Sequence, residues 1–135
     1  MINSFVGENN NKSIAFDSLG QLRYLSALKH IDIVVGNSSS GLIEAPSFKI
    51  PTINIGDRKR GRIQAQTVLS CDARKENIVD AIKKGFSKEF RDSIKDAVNP
   101  YGEGGVSSRI KDTLKKIEFG SDFIKKEFYD IGYTQ

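Results

Sequence analysis

Apolar and polar positions change period several times along this chain, and each change marks an element. Residues 31–37, IDIVVGN, are a continuous β-branched run without polar alternation, which predicts a strand covered on both faces in a parallel sheet. Before it, SIAFDSL (residues 13–19) reads as a short strand, and QLRYLSALKH then places Leu22, Leu25 and Leu28 at helical spacing. After it come a short helix in SGLIEAPSF, a strand in PTINIG opened by Pro51, and a further strand in TVLSC (residues 67–71). RKENIVDAIKKGF has the pattern of an amphipathic helix. Strand–helix alternation of this kind predicts βαβ units and a doubly wound α/β domain. The tail reads as helices: SKEFRDSIKDAV, a glycine-rich corner at NPYGEGG, then VSSRIKDTLKKIEF and SDFIKKEFYDIG. MINSFV at the start reads as the end of a helix, and no internal repeat is visible.

The chemistry is concentrated where the β-branched run stops, in VVGNSSSGLIEAP. A tight turn from the carboxyl end of a parallel strand into a helix leaves backbone N–H groups without partners, a setting suited to an anion. Ser38, Ser39 and Ser40 are small enough to let phosphate oxygens approach and add hydroxyl donors. Glu44 follows Ser40 by four residues, on the same helical face. A carboxylate there suits vicinal hydroxyls such as those of a ribose, so the pattern suggests a nucleotide. On spacing alone, the alternative that Ser38 or Ser39 only caps the helix has equal standing.

Composition narrows the field. The 135 residues fit one ordinary globular domain, with a formal net charge of +4. A single cysteine, Cys71, rules out a disulfide framework and a cysteine-based zinc site, and a single histidine, His30, rules out a histidine cluster. His30, after a helix and before a strand, reads as a helix C-terminal residue, and Cys71 as a small buried hydrophobe. No apolar run approaches the roughly 18 residues of a membrane span, and the first residues lack a signal-peptide core. The cytoplasm is therefore the expected compartment, without a membrane partner. The loop DRKRGR carries Arg58, Lys59, Arg60 and Arg62. By itself it reads as a solvated basic loop, and without an aromatic stacking surface it does not argue for nucleic acid.

The stretch GNSSSGLIEAPSFKIPTINIGDRKRGR closely resembles the carboxy-terminal half of bacterial UDP-N-acetylglucosamine 2-epimerases, in particular the hydrolysing kind used for sialic-acid-type sugars. NPYGEGGVSSRI and the ending IKKEFYDIG resemble the same family, so the likeness covers nearly the whole chain. It implies the second domain of a glycosyltransferase-B-like fold, here a partial Rossmann-like, doubly wound parallel sheet with C-terminal helices. Carried onto this sequence, it implies that Ser38 and Ser39 hold the diphosphate with the Ser40 amide beside them. It further implies that Glu44 binds the ribose hydroxyls and that Arg58 reaches the UDP. A guanidinium suits that role because it makes planar, charge-assisted hydrogen bonds.

The resemblance also implies what this sequence lacks. A whole enzyme of the family has roughly three times this length, by the general proportions of two Rossmann-like domains. Residues 1–135 are thus expected to be a single, N-terminally truncated nucleotide-binding domain, with its ligand UDP or UDP-N-acetylglucosamine and no metal or redox cofactor. Catalytic residues are left unassigned, because the carboxylates that serve as acid and base are expected on the absent domain. The chain alone is therefore expected to be inactive. A separately encoded N-terminal half and a homo-oligomer both fit as partners. Strands missing between residues 13–19 and 31–37 would leave those two segments either paired directly or with one open edge. A non-catalytic UDP-binding module and a glycosyltransferase fragment stand as alternative readings.

Overall fold

Three short parallel strands carry the structure: β1 (Val34–Gly36), β2 (Thr52–Ile55) and β3 (Val68–Cys71), in the spatial order β1-β2-β3. The computed structural model describes residues 1–118 and 120. Register pairs Gly36 with Asn54, and Asn54 in turn with Ser70, so all three strands end on one side of the sheet. Among the described residues six helices accompany them: α1 (Ile2–Glu8), α2 (Gly20–Ala27), α3 (Ser40–Ile43), α4 (Lys75–Phe86), α5 (Lys88–Ser93) and α6 (Val106–Lys115). A 3₁₀ turn, Ala45–Phe48, extends α3 and closes at Lys49, which adopts a left-handed conformation with φ 55°.

Helices cover both faces of β2, and two glycines show why they come so close. A Cβ at Gly41 of α3 would lie 2.8 Å from Thr52 Cγ2, and one at Gly85 of α4 would lie 2.9 Å from Ile33 Cδ1 and 3.5 Å from Ile53 Cδ1. Thr52 and Ile53 are adjacent on a strand, so they point to opposite faces, and α3 and α4 pack on opposite sides of the sheet. Thr52, Ile53 and Asn54 are accordingly all buried. Leu28, Leu42, Ala45, Ile94 and Ala97 complete a small core around this strand. Fully burying a side chain such as Ile53 contributes about 1.5–3 kcal/mol. Arg91 ties α5 to the residues before β1, bonding Asp32 Oδ1 at 3.4 Å and lying 5.2 Å from the Phe86 ring centroid.

The α/β class and the partial Rossmann-like parallel sheet are as the sequence predicts, with three corrections. Residues 13–16 form no strand, and Ile14 and Phe16 are exposed. Their apolar spacing lacks a neighbouring strand to pair with, and an unpaired strand gains no ladder hydrogen bonds. Within the described residues β1 is consequently an edge strand, with its outer side open. Val35 is 44% exposed, so the β-branched run is covered less completely than a central strand would be. Leu22 is exposed while Leu28 is buried, which leaves the face of α2 only partly covered.

Two compact units divide the chain, Met1–Glu103 and Gly104–Gln135. The first contains the sheet and α1 to α5. In the second, α6 spaces Val106, Ile110 and Leu114 four residues apart, all exposed. The predicted SDFIKKEFYDIG helix lies outside the described residues. Among the described residues, no helix is long and apolar enough to cross a membrane.

Candidate functional site

Where β1 ends, the chain turns through Asn37 and Ser38 into α3. Ser40 donates its N–H to Ser38 Oγ at 3.3 Å, which shapes the turn. Ser39 occupies the N-cap of α3 but its side chain caps nothing, so its hydroxyl is not committed to the helix. With four residues α3 is a single turn, and its dipole adds little. The turn therefore presents hydroxyls rather than the strong helix field that the sequence pattern suggested. Ser40 Oγ donates to the hydroxyl of Tyr24 on α2, which fastens the turn to that helix.

An open cleft of about 640 Å³ lies beside this turn. Ser38, Ser40 and Glu44 line one part of it, and Phe16, Asp17 and Tyr24 another. Three of the five expected ligand residues thus come together. Glu44 is half-buried at the junction of α3 and the 3₁₀ turn, so it sits at the end of a regular turn rather than within one. Ser39 and Arg58 do not line the cleft. Arg58 is exposed, in the loop that leaves the carboxyl end of β2. The register places that loop next to the serine turn, since Gly36 and Asn54 are paired neighbours.

That loop is more constrained than a solvated basic loop. Lys59 is buried, at 7% exposure. Burial first, and then the neighbouring cations Arg62 and Arg58, hold its ammonium below the usual lysine range. The ion pairs among the described residues all lie elsewhere, on α4, α5 and at Asp32. A cluster of uncompensated cations raises the local potential and favours an anion. The far end of the loop is anchored by Ser70 Oγ donating to Gln64 Oε1 at 3.1 Å, with Asn54 Nδ2 donating to Ser70 at 3.1 Å.

A second open cleft, about 550 Å³, lies at the ends of β2 and β3. Asp57, Asp72 and Asp80 border it against a single cation, Lys84, a net acidic lining that disfavours a diphosphate. Cys71 faces it, half-buried rather than fully buried as expected, because a strand end at a cleft has cover on one side only. Burial and the charge of Asp72 push its thiol upward. His30 falls in the turn after α2, as expected, with its N–H bonded to Ala27 O at 2.9 Å. Among the described residues no group of three or more His, Cys, Asp or Glu could hold a metal ion.

Phe16, Asp17 and Tyr24 escaped the sequence reading. The first two fall in the segment whose pattern predicts a strand, and the apolar spacing of α2 points to its leucines rather than to its one tyrosine. A ring next to a serine turn and a carboxylate is the available signal, but it spans more than 15 residues of sequence.

The fold and this site define a Rossmann-like α/β unit with its polar cleft at the carboxyl end of a parallel strand. Residues 1–115 match the family model described as UDP-N-acetylglucosamine 2-epimerase. The chain belongs to that family. It is 37% identical over 132 residues to a GDP/UDP-N,N'-diacetylbacillosamine 2-epimerase (hydrolyzing) of Campylobacter jejuni, covering 97% of this chain and 34% of that protein. A UDP-N-acetylglucosamine 2-epimerase of Neisseria meningitidis serogroup B is 38% identical over 121 residues, covering 90% of this chain and 32% of that protein. Polysialic acid biosynthesis protein P7 of Escherichia coli is 37% identical over 114 residues, or 80% of this chain and 28% of that protein. A crystal structure from Listeria monocytogenes, described as a UDP-N-acetylglucosamine 2-epimerase, superposes with a TM-score of 0.64 at 26% identity. That match covers 74% of this chain and 28% of the other. The chain thus spans about a third of the length of the curated relatives it matches.

Proposed function

We propose that the cleft beside the serine turn binds the UDP portion of a UDP-2-acetamido sugar, and that the chain forms the nucleotide-holding part of a hydrolysing 2-epimerase. The observation that carries this is the lining of one cleft by Glu44, Ser38, Ser40 and two aromatic side chains. Glu44 offers a carboxylate to the ribose hydroxyls. Ser38 and Ser40, with Ser39 at the cap, offer donors to the diphosphate, and the cations from Arg58 to Arg62 balance its charge. Phe16 and Tyr24 offer rings to a planar base.

In the reaction proposed for the whole enzyme, the proton on C2 of the sugar and the UDP on C1 are eliminated, leaving a C1–C2 double bond. Water then adds, hydroxyl to C1 and proton to C2, giving the C2-epimeric 2-acetamido sugar and free UDP. The residues of this chain stabilise the departing diphosphate. Proton abstraction requires a base set against C2, and an acid or electrostatic group must face the leaving oxygen. Binding the leaving group without them yields affinity but little rate, so this chain alone is proposed to be a UDP-binding module without turnover.

Calorimetry with UDP, uridine and N-acetylglucosamine tests the reading. UDP should bind saturably and the free sugar should not. Glu44→Ala should weaken UDP by about 1–3 kcal/mol, the range for hydrogen bonds to a charged group, with little change in melting temperature. Sugar binding as tight as UDP binding would refute the assignment. Turnover of UDP-N-acetylglucosamine by the purified chain that Arg58→Ala abolishes would leave the UDP assignment standing and refute the absence of turnover.

A further inference from the structure

In the sequence the NPYG turn reads as a corner between helices, yet its side chains reach back to both halves of the candidate site. Asn99 is buried, at 9% exposure. Its Nδ2 donates to Ile43 O at 2.8 Å and to Ser47 Oγ at 2.7 Å. Ile43 is the last residue of α3, so Asn99 satisfies a carbonyl that the helix end leaves open, directly beside Glu44. Two residues on, the Tyr101 hydroxyl donates to Ile63 O at 2.9 Å. Ile63 follows Arg62, so this bond pins the end of the cation loop.

The turn joining these two anchors is itself rigid. Asn99 Oδ1 accepts the Tyr101 N–H at 3.0 Å, and Asn99 O accepts the Gly102 N–H at 3.0 Å. Pro100 between them fixes one backbone angle, and Gly102 takes φ 103°, a value that L side chains rarely adopt. We propose that Asn99 and Tyr101 are positioning residues that hold the Glu44 side and the Arg58–Arg62 side of the site at a fixed spacing. Neither lines the cleft. Asn99 acts through Glu44 and Tyr101 acts through the cation loop. As a statement about affinity, this rests on the nucleotide reading of the cleft.

Tyr101→Phe removes one hydrogen bond and nothing else. Losing a bond of about 1 kcal/mol corresponds to about a fivefold change in an equilibrium. The full chain and its variants are compared by amide hydrogen exchange and by calorimetry with UDP and uridine. Tyr101→Phe should speed exchange across residues 57–64, weaken UDP about fivefold and leave uridine unchanged. In an Arg58→Ala background the same substitution should no longer alter UDP affinity. A merely structural role would weaken both ligands and persist without Arg58, and that result overturns the proposal. Unchanged exchange in residues 57–64 also overturns it. Asn99→Ala should speed exchange in residues 40–48; should that variant not fold, Ser47→Ala removes one of the two Asn99 bonds and should show a smaller increase in the same residues. If the parent chain fails to bind UDP, the nucleotide reading falls, and exchange alone decides whether the turn fixes the two loops.

Discussion

Replacing Gly41 by alanine tests whether the serine turn is held by the close approach of α3 to the sheet. The added Cβ would meet Thr52 Cγ2 at 2.8 Å, where ordinary van der Waals contact begins at 3.4 Å. Thr52 is 2% exposed and lies in the central strand, so it cannot swing aside, and α3 must lift. Overpacking of this kind costs about 1–3 kcal/mol. Alanine in place of glycine returns about 1 kcal/mol of helix propensity. The net loss is therefore about 0–2 kcal/mol, a fall of up to about 8 °C in melting temperature for a chain of this size. Because the lower bound reaches zero, the single variant does not decide the question.

A double-mutant cycle with Thr52→Ser does. Serine lacks Cγ2 and keeps Oγ1, so it removes the atom that the new Cβ strikes. Thr52→Ser alone should cost about 0.5–1.5 kcal/mol, the usual loss for one buried methyl. Combined with Gly41→Ala, the two should be less harmful than their sum by about 1 kcal/mol or more. Urea unfolding of the four proteins supplies the numbers. Because α3 carries Ser40 and precedes Glu44, UDP affinity should fall in Gly41→Ala and recover in the double variant. Additivity within about 0.5 kcal/mol would refute the contact and the argument built on it.

Three further outcomes are expected. Thr67 is fully buried and its Oγ1 has no partner among the described residues, so Thr67→Val should raise stability by about 1–2 kcal/mol in the same urea assay. Lys49 holds φ 55° at the end of the 3₁₀ turn, and Lys49→Gly should be neutral to about 1 kcal/mol stabilising, since it relieves left-handed strain at the cost of chain entropy. Cys71 is held above the usual thiol range by burial and then by Asp72, so at pH 8 iodoacetamide should modify it more slowly in the native chain than in urea. The unfolded thiol then ionises first, so its contribution to stability is present below the ordinary thiol pKa and is lost as pH rises through the folded one.

Much of the fold was legible because the decisive signals were local. The Thr52–Ile55 strand, the Lys75–Phe86 helix and the serine turn each announce themselves within a dozen residues, and each forms where its pattern lies. The 13–19 segment failed for a physical reason. Alternating Ile14 and Phe16 describe a strand only if another strand stands beside them, and sequence pattern carries no information about neighbours. Phe16 instead borders the cleft that Tyr24 also lines.

The grouping of the candidate residues was legible to the same depth. Ser38, Ser40 and Glu44 lie within seven residues of one another, and a turn followed by a helix brings them together almost automatically. Arg58 is a different case, because only the family resemblance singles it out and no local pattern in the sequence does. The chain sets it in the adjoining loop, outside the cleft lining. Its reach therefore depends on how that loop is held. The holding is done by Tyr101, 38 residues beyond Ile63, and by Gln64 through Ser70. Contacts over such separations leave no periodic trace, and NPYG reads as punctuation until its side chains are followed. The same buried asparagine that ends the α3 segment beside Glu44 starts the turn that restrains the cation loop. Ribose and phosphate recognition, if both belong to this cleft, are then geometrically coupled, and a substitution that loosens the turn should blur the distinction between UDP and uridine.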